Sequence, residues 1–281
     1  MQSNTYTSFY ADVLALTGNS SFTTTEQTRI LANANRRLYQ AYRSFSSWPR
    51  YIVGGELRPA TNGLISRDAI AGATYTISSA TRSGSVVTIT TSVPYAMFTG
   101  TTITIAGLSG TVEPDGDYVI TKVSASVFTY NLATNTGTET YTGSGTAVYA
   151  GISTVDSFNR IFRDNPLMLK SVVEYEFYVD INGAHVVNNW ANSGSFWVNY
   201  YKEWSGPYTS ASTDIPLEFY RFAVHATYAD YLRFDGQIDK AMAEENNAQQ
   251  YLMIEIDKAE NQRNINSLQH RISTYNSRQS R

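Results

Sequence analysis

Cysteine is absent from the 281 residues, which removes disulfide scaffolds, thiolate metal sites and cysteine nucleophiles together. Charged residues are scarce at 16%, and the formal net charge of −3 provides no overall basic surface for bulk nucleic-acid binding. Met1 to Gly18 lack a basic leading stretch and carry Asp12 inside their only apolar run. No secretory signal is expected there, and the protein is expected to act where it is made. Residues 83–112 carry no charge, yet Thr, Ser, Gly and Pro94 fill them in place of contiguous aliphatics. That composition excludes a membrane helix, and no membrane partner is expected.

Hydrophobic residues make up 42% of the chain, enough for a true core. The unusual abundance is aromatic, 13% with 21 Tyr. Tyrosine suits positions where an apolar body must also meet water or a partner, so the composition favours an interface protein.

Composition changes near Gly72 and changes back near Gly151. Residues 72–150 hold 19 Thr, 9 Ser and 9 Gly, with only Arg82 and Lys122 as bases. Val87 and Ile89, Ile103 and Ile105, and Phe128 and Tyr130 alternate with polar neighbours as in half-buried strands. Tyr75 and Ile77 mark a first strand, Tyr118 to Val123 a middle one and Gly145 to Tyr149 the last. About six or seven short strands therefore form an inserted all-β domain, Ig-like or barrel-like.

The flanking segments, 1–71 and 151–260, read as a discontinuous helical domain. Thr23 and Glu26 form a capping box ahead of Leu31, Ala34, Leu38, Tyr42 and Phe45, and Trp48-Pro49 closes this helix. A shorter helix precedes it, with Phe9, Val13 and Leu16 on one face and Gly18-Asn19 as its stop. Asp214-Ile215-Pro216 opens a run of Leu217, Tyr220, Val224, Tyr228 and Tyr231 that ends at Asp235-Gly236. A second run follows on a seam of Ile238, Ala241, Ala248, Leu252, Ile256 and Ala259, and the two make an antiparallel hairpin. Between insert and hairpin a small sheet is expected from Val173 to Val179, Ala184 to Val187 and Phe196 to Tyr201, with a turn at Asn182-Gly183. Leu167 to Tyr175 is alternatively a short helix opened by Pro166. The fold class is therefore α+β. Residues 261–281 contain Arg263, Arg271, Arg278 and Arg281 and no acid, as expected of a basic tail that is disordered or folds on a partner.

No constellation carries catalysis, and no cofactor is implied. His185, His225 and His270 lack metal-ligand spacing, and packing or an interface accounts for His225. Glu174 and Glu176 would share one face of a strand, where a solvated surface explains them better than acid/base work. Glu113, Asp115 and Asp117 surround Gly116 without the spacing of a calcium loop, so a hairpin turn is expected. Ser144 lacks the context of a nucleophile elbow, and no glycine run is followed by the Lys-Ser/Thr of a phosphate loop. Six Trp and Tyr residues, Trp190, Trp197, Tyr200, Tyr201, Trp204 and Tyr208, lie within nineteen positions. That is more than a small sheet buries, and Trp197, Tyr200, Tyr201 and Trp204, with Tyr220, Tyr228 and Tyr231 of the hairpin, are candidates for a subunit interface.

Phe196-Trp197-Val198-Asn199-Tyr200, Ile215-Pro216-Leu217-Glu218-Phe219, the run from Ala223 to Arg233, Gly236-Gln237, Lys240-Ala241 and Ala248 to Leu252 resemble the head-to-tail adaptor, or connector, proteins of tailed bacteriophages. Val155-Asp156 and Asp164-Asn165-Pro166 resemble the segment ahead of that family's small sheet. Residues 80–91, with Gly107 and Phe128-Thr129-Tyr130, look like a β module that recurs in phage structural proteins. The resemblance implies a non-enzymatic virion protein at the head-tail junction, made in the host cytoplasm. It implies a homo-oligomeric ring, twelvefold in this family, beneath the portal protein, with a downstream tail or nozzle protein below and DNA passing through without sequence-specific binding. Arg263, Arg271, Arg278 and Arg281 would dock on portal carboxylates, and residues 72–150 would project outward, within reach of tail fibres. A second reading takes the insert as a carbohydrate- or receptor-binding module; its rings are Tyr75, Tyr95, Phe98, Tyr118, Phe128, Tyr130, Tyr141 and Tyr149, without Trp. A third, a cell-wall hydrolase, lacks an acid pair.

Overall fold

A computed structural model describes residues 3–133, 137–167, 173–187 and 193–279. The fold is mixed, with helices and a two-stranded ladder (Ser3–Asn4 with Ile215–Pro216) in one compact unit (Met1–Ile52 with Trp204–Arg281) and the two large antiparallel sheets in another (Val53–Glu203).

In the helical unit, α1 (Tyr6–Thr17) starts where the Thr5 hydroxyl accepts from the Ser8 amide and stops at Gly18, whose φ of 72° is left-handed. Helix α2 (Thr24–Ser44) opens with the capping box read from the sequence. The Thr23 amide donates to Glu26 Oε2 at 2.8 Å, and the Glu26 amide to Thr23 Oγ1 at 3.4 Å. The hydrogen bonds from Thr23 hold the Glu26 carboxyl below its ordinary pKa. Thr23→Ala should destabilise this unit by about 1 kcal/mol, measured as a lower urea midpoint at unchanged slope.

Pro216 leads into α3 (Leu217–Phe234), and Gly236, at a φ of 77°, turns the chain into α4 (Ile238–Gln279). The core brings together Phe9 and Val13 of α1, Ala34 and Leu38 of α2, Phe219 and Phe222 of α3, and Ala248 and Leu252 of α4. Three expected core positions are instead on the surface: Leu16 is 37% exposed, Leu217 41% and Ile238 53%. Each sits at a helix end, where the cover of the neighbouring helices is incomplete. Helix α4 also continues through residues 261–279, where the composition had suggested a separate tail. No Gly or Pro occurs between Ile238 and Arg281, so nothing in the chain terminates the helix at Asn261.

In the sheet unit, the first sheet lies wholly within residues 73–149 and has eight strands. Its long strand Ala73–Ser83 pairs through residues 73–76 with Thr146–Tyr149, and beyond a bulge at 77–79 with Val86–Thr91. The middle strand expected at Tyr118 to Val123 is two strands, Gly116–Val119 and Thr121–Lys122. The first of these pairs with Thr102–Ala106 and the second with Val127–Asn131, so both ends of the strand order meet across Ile120 and the sheet nearly closes into a barrel. Val87, Ile89, Ile103, Ile105, Phe128 and Ala147 fill it. The chain enters and leaves beside the Ile70–Ile152 bridge, and there a Cβ on Gly151 would lie 2.5 Å from the Ile70 carbonyl oxygen. Only glycine permits that approach.

The second sheet is larger than expected, with seven strands in the order Glu174–Tyr175, Val155–Phe162, Ser193–Lys202, Ile52–Thr61, Leu64–Ser66, Gly183–Val186 and Phe177–Val179. Ile52–Thr61 and Leu64–Ser66 had no counterpart in the sequence reading. Its two ends are again adjacent in the chain, at Tyr175 and Phe177, and Ile65, Ile161, Ala184 and Val198 form its core.

Candidate functional site

A groove of about 820 Å³ runs between α1, α3 and the near half of α4. Tyr220 and Val224 form its floor, while Leu16, Leu217 and Ile254 stand exposed around it. Helical period explains the arrangement. Tyr220 and Val224 are four residues apart on the α3 face that also meets α1, whereas Leu217 and Ile254 sit where the first turn of α3 passes α4.

Most of the charged and polar side chains lining the groove have partners. The Tyr220 hydroxyl donates to Asp12 Oδ2 at 2.6 Å. Burial, then the hydrogen bond and charge of Asp12, push this phenol above its ordinary pKa. Arg50 Nε donates to Glu218 at 3.2 Å and Lys258 Nζ to Glu255 at 2.6 Å. His225 Nδ1 lies 2.8 Å from Glu244 Oε2, and its ring stacks on Tyr251 with centroids 5.0 Å apart. Among the described residues no three His, Asp or Glu side chains converge on a metal position. What the groove offers is an apolar rim interleaved with neutralised charges, which is the chemistry of a protein-binding surface.

A cluster of charged side chains fastens the hairpin to α2. The Arg37 guanidinium, buried in α2, donates to both Asp230 oxygens at 2.7 and 2.8 Å and to both Glu245 oxygens at 2.8 and 3.0 Å. Arg36 and Arg233 also reach Asp230, at 2.7 and 3.0 Å. Burial would raise the Asp230 carboxyl, but the hydrogen bonds and charge of Arg37, supported by Arg36, hold it below the ordinary carboxylate value. No sequence signal links these residues, since their side chains are separated by about two hundred positions.

The interface candidates divide by burial. Tyr200 is 1% exposed and sits in the core of the seven-stranded sheet, where its hydroxyl donates to Glu56 at 2.6 Å. Burial, and then the Glu56 carboxylate, push its phenol up to about 12. Tyr220 is buried at the groove floor, so neither tyrosine has a ring face to offer a neighbour. Trp197, Tyr201, Trp204, Tyr228 and Tyr231 are half-buried. Trp204 packs on Tyr39 and Tyr208, with centroids 5.2 and 5.7 Å away, and Tyr231 accepts from Asn19 at 3.0 Å. Trp190 lies outside the described residues, as does Arg281; Arg263, Arg271 and Arg278 are on α4.

In the insert, Tyr75, Tyr95, Phe128, Tyr130, Tyr141 and Tyr149 are buried, and Phe98 and Tyr118 are half-buried. Asp115 uses its carboxylate on the Gly107 and Leu108 amides, at 2.7 and 3.1 Å, as an acid that braces a turn. Glu174 lies 3.9 Å from Arg160, and His185 Nε2 lies 2.9 Å from Asp180. Among the described residues no helix is long and apolar enough to cross a membrane. No protein-family model matches the chain, nor does any curated protein or solved structure.

Proposed function

We propose that this chain is a structural subunit of a phage virion, a head-to-tail adaptor that assembles as a ring beneath the portal and receives the next tail component below. The observation that carries the reading is the hairpin. Helix α3 has 18 residues and α4 has 42, so α4 extends about 36 Å past its partner at 1.5 Å per residue. A helix that long gains little from a single antiparallel neighbour, and its basic far end, with Arg263, Arg271 and Arg278, suits docking on an acidic surface of another ring. The paired charges and apolar rim of the groove support recognition over catalysis, and the aromatic content supports repeated subunit contacts. The ring is twelvefold, DNA passes through it without base readout, and the barrel at residues 73–149 faces outward, where it is available to tail fibres.

Electron microscopy of the full chain mixed with its cognate portal tests this reading. The expected result is a ring stacked on the tail-facing side of the portal, lost when residues after Asn261 are removed. A protein that leaves the portal bare at all mixing ratios overturns it.

A further inference from the structure

On the outward face of the barrel at residues 73–149, the strand registers bring one residue type together from five strands. Thr140 pairs with Thr81, Thr81 with Thr88, Thr88 with Thr129, and Thr129 with Thr121. Five threonines thus stand side by side in a row that spans about 19 Å at a strand spacing of about 4.8 Å. Their chain neighbours Arg82, Val87, Phe128 and Tyr130 are buried, so the pleat turns the threonine side chains outward. Thr81, Thr121 and Thr140 are exposed, and Thr88 and Thr129 are half-buried.

Two features set this row apart from an ordinary wetted strand face. None of the five hydroxyls has a hydrogen-bond partner among the described residues. The flanking rows, through Ser83 and Asn131 on one side and Ser79 and Thr90 on the other, hold no charged residue. The charges of these strands are used elsewhere: Arg82 is buried against Glu139 at 3.2 Å, and Lys122 Nζ donates to the Met97 carbonyl at 3.1 Å. A solvated sheet face ordinarily carries lysine and glutamate, which oppose association. Here five strands do without them, and a hollow of about 340 Å³ lies along Thr81, Ser83, Thr88, Thr138 and Thr140, with the Arg82–Glu139 pair at its side.

We infer that this face binds an extended, neutral, β-1,4-linked polysaccharide laid across the strands. A hydroxyl both donates and accepts, so a row of them matches a polymer whose own surface is hydroxyl. With no formal charge on the face, phosphate, sulfate and carboxylate groups find no counter-ion there. The threonine methyls and Val86, 40% exposed, meet the C–H faces of pyranose rings. The repeat selects the polymer. An extended β-1,4-linked chain advances per sugar by a step close to the strand spacing, so successive sugars meet successive threonines and weak contacts add along one chain. A folded protein surface has no such repeat, and a nucleic acid would need the cations that the face lacks. Most aromatic rings of the barrel are buried, which leaves the threonine row as the surface a sugar reaches. This binding requires no ring and no portal.

Native electrophoresis of the full chain in gels containing a soluble β-1,4-glucan tests the inference. The expected result is retardation by that polymer and none by dextran, an α-linked glucan of the same sugar. Thr81→Val, Thr88→Val and Thr129→Val together keep shape and strand propensity while removing three hydroxyls. That variant should bind roughly tenfold more weakly and keep the urea midpoint of the parent protein. Thr88→Arg, a bulky charge in mid-row, should abolish retardation and leave sedimentation unchanged. A parent protein that runs freely through the β-1,4-glucan overturns the inference, as does equal retardation by dextran or equal retardation of the triple variant. If Thr88→Arg instead disperses an assembled form with no glycan present, the face belongs to a second copy of the chain and the inference fails. Each of these failures leaves the adaptor reading to its own test on the portal.

Discussion

Arg37→Met lowers the unfolding free energy of the helical unit by about 3 kcal/mol, the lower end expected for removing one member of a buried ion cluster. The Asp230 side chain is only 8% exposed, and without Arg37 it and Glu245 keep their desolvation cost while losing four hydrogen bonds. Arg36 and Arg233, 62% and 39% exposed, remain and soften the loss. Arg37→Lys should recover little, because an ammonium cannot span two carboxylates as the planar fork does. Urea titration followed by helix signal measures this, and a loss below about 1 kcal/mol would mean that solvent screens the cluster. The same cluster sets an acid limit. Asp230 has a folded-state pKa below its unfolded value of about 3.9, so its contribution is complete above that value and disappears as the pH falls through the lower, folded one. Asp230→Asn should therefore be less stable at neutral pH and show a flatter decline of the urea midpoint below about pH 4.

Arg58→Met should cost the sheet unit about 3–5 kcal/mol. Arg58 is 1% exposed, in a strand that the sequence did not reveal, with its guanidinium 4.5 Å above the Tyr200 ring. Its nitrogens donate to the carbonyl oxygens of Ser66 at 3.1 Å, Asp68 at 3.4 Å and Ser153, and to Glu56 at 3.2 Å. Those carbonyls flank the two chain crossings into the barrel, so one side chain pins both. Burial raises the Glu56 carboxyl, against the pull of Tyr200, Arg58 and Lys202, and without Arg58 the carboxylate loses its hydrogen-bonded cation. Limited proteolysis should find new cleavage within residues 66–72 and 150–155 before any in the barrel. Arg160→Met, at a side chain 59% exposed, should change stability by less than about 0.5 kcal/mol. Equal resistance of the Arg58 variant and the parent protein would sink the pinning role.

The legible parts of this fold are those whose cause is local. The Thr23/Glu26 box, the Gly18 stop, the Pro216 entry and the alternation of Ile103 with Thr104 each depend on neighbours a few residues away. Ile52–Thr61 was missed because Gly54-Gly55, Glu56, Arg58 and Pro59 interrupt the alternation that marks a strand, and the strand is held by its place between two others. Tyr200 read as interface because composition cannot show that Glu56 and Arg58 await it inside. Leu16 and Ile238 fit a helical period but lie past the end of the packing face. The groove was invisible for a different reason: it is a gap between three helices, two of them more than two hundred residues from the first.

That separation has a consequence during synthesis. Helices α1 and α2 leave the ribosome with their apolar faces complete, yet the faces that cover them belong to α3 and α4, and the whole sheet unit must be made in between. At roughly 5–20 residues per second, α2 waits on the order of ten to forty seconds for its partners. The two sheets can finish folding in that interval, because each closes on strands from its own unit. The nascent chain thus holds a finished β body tethered to an unfinished helical one, and its most aggregation-prone moment comes just before α3 emerges.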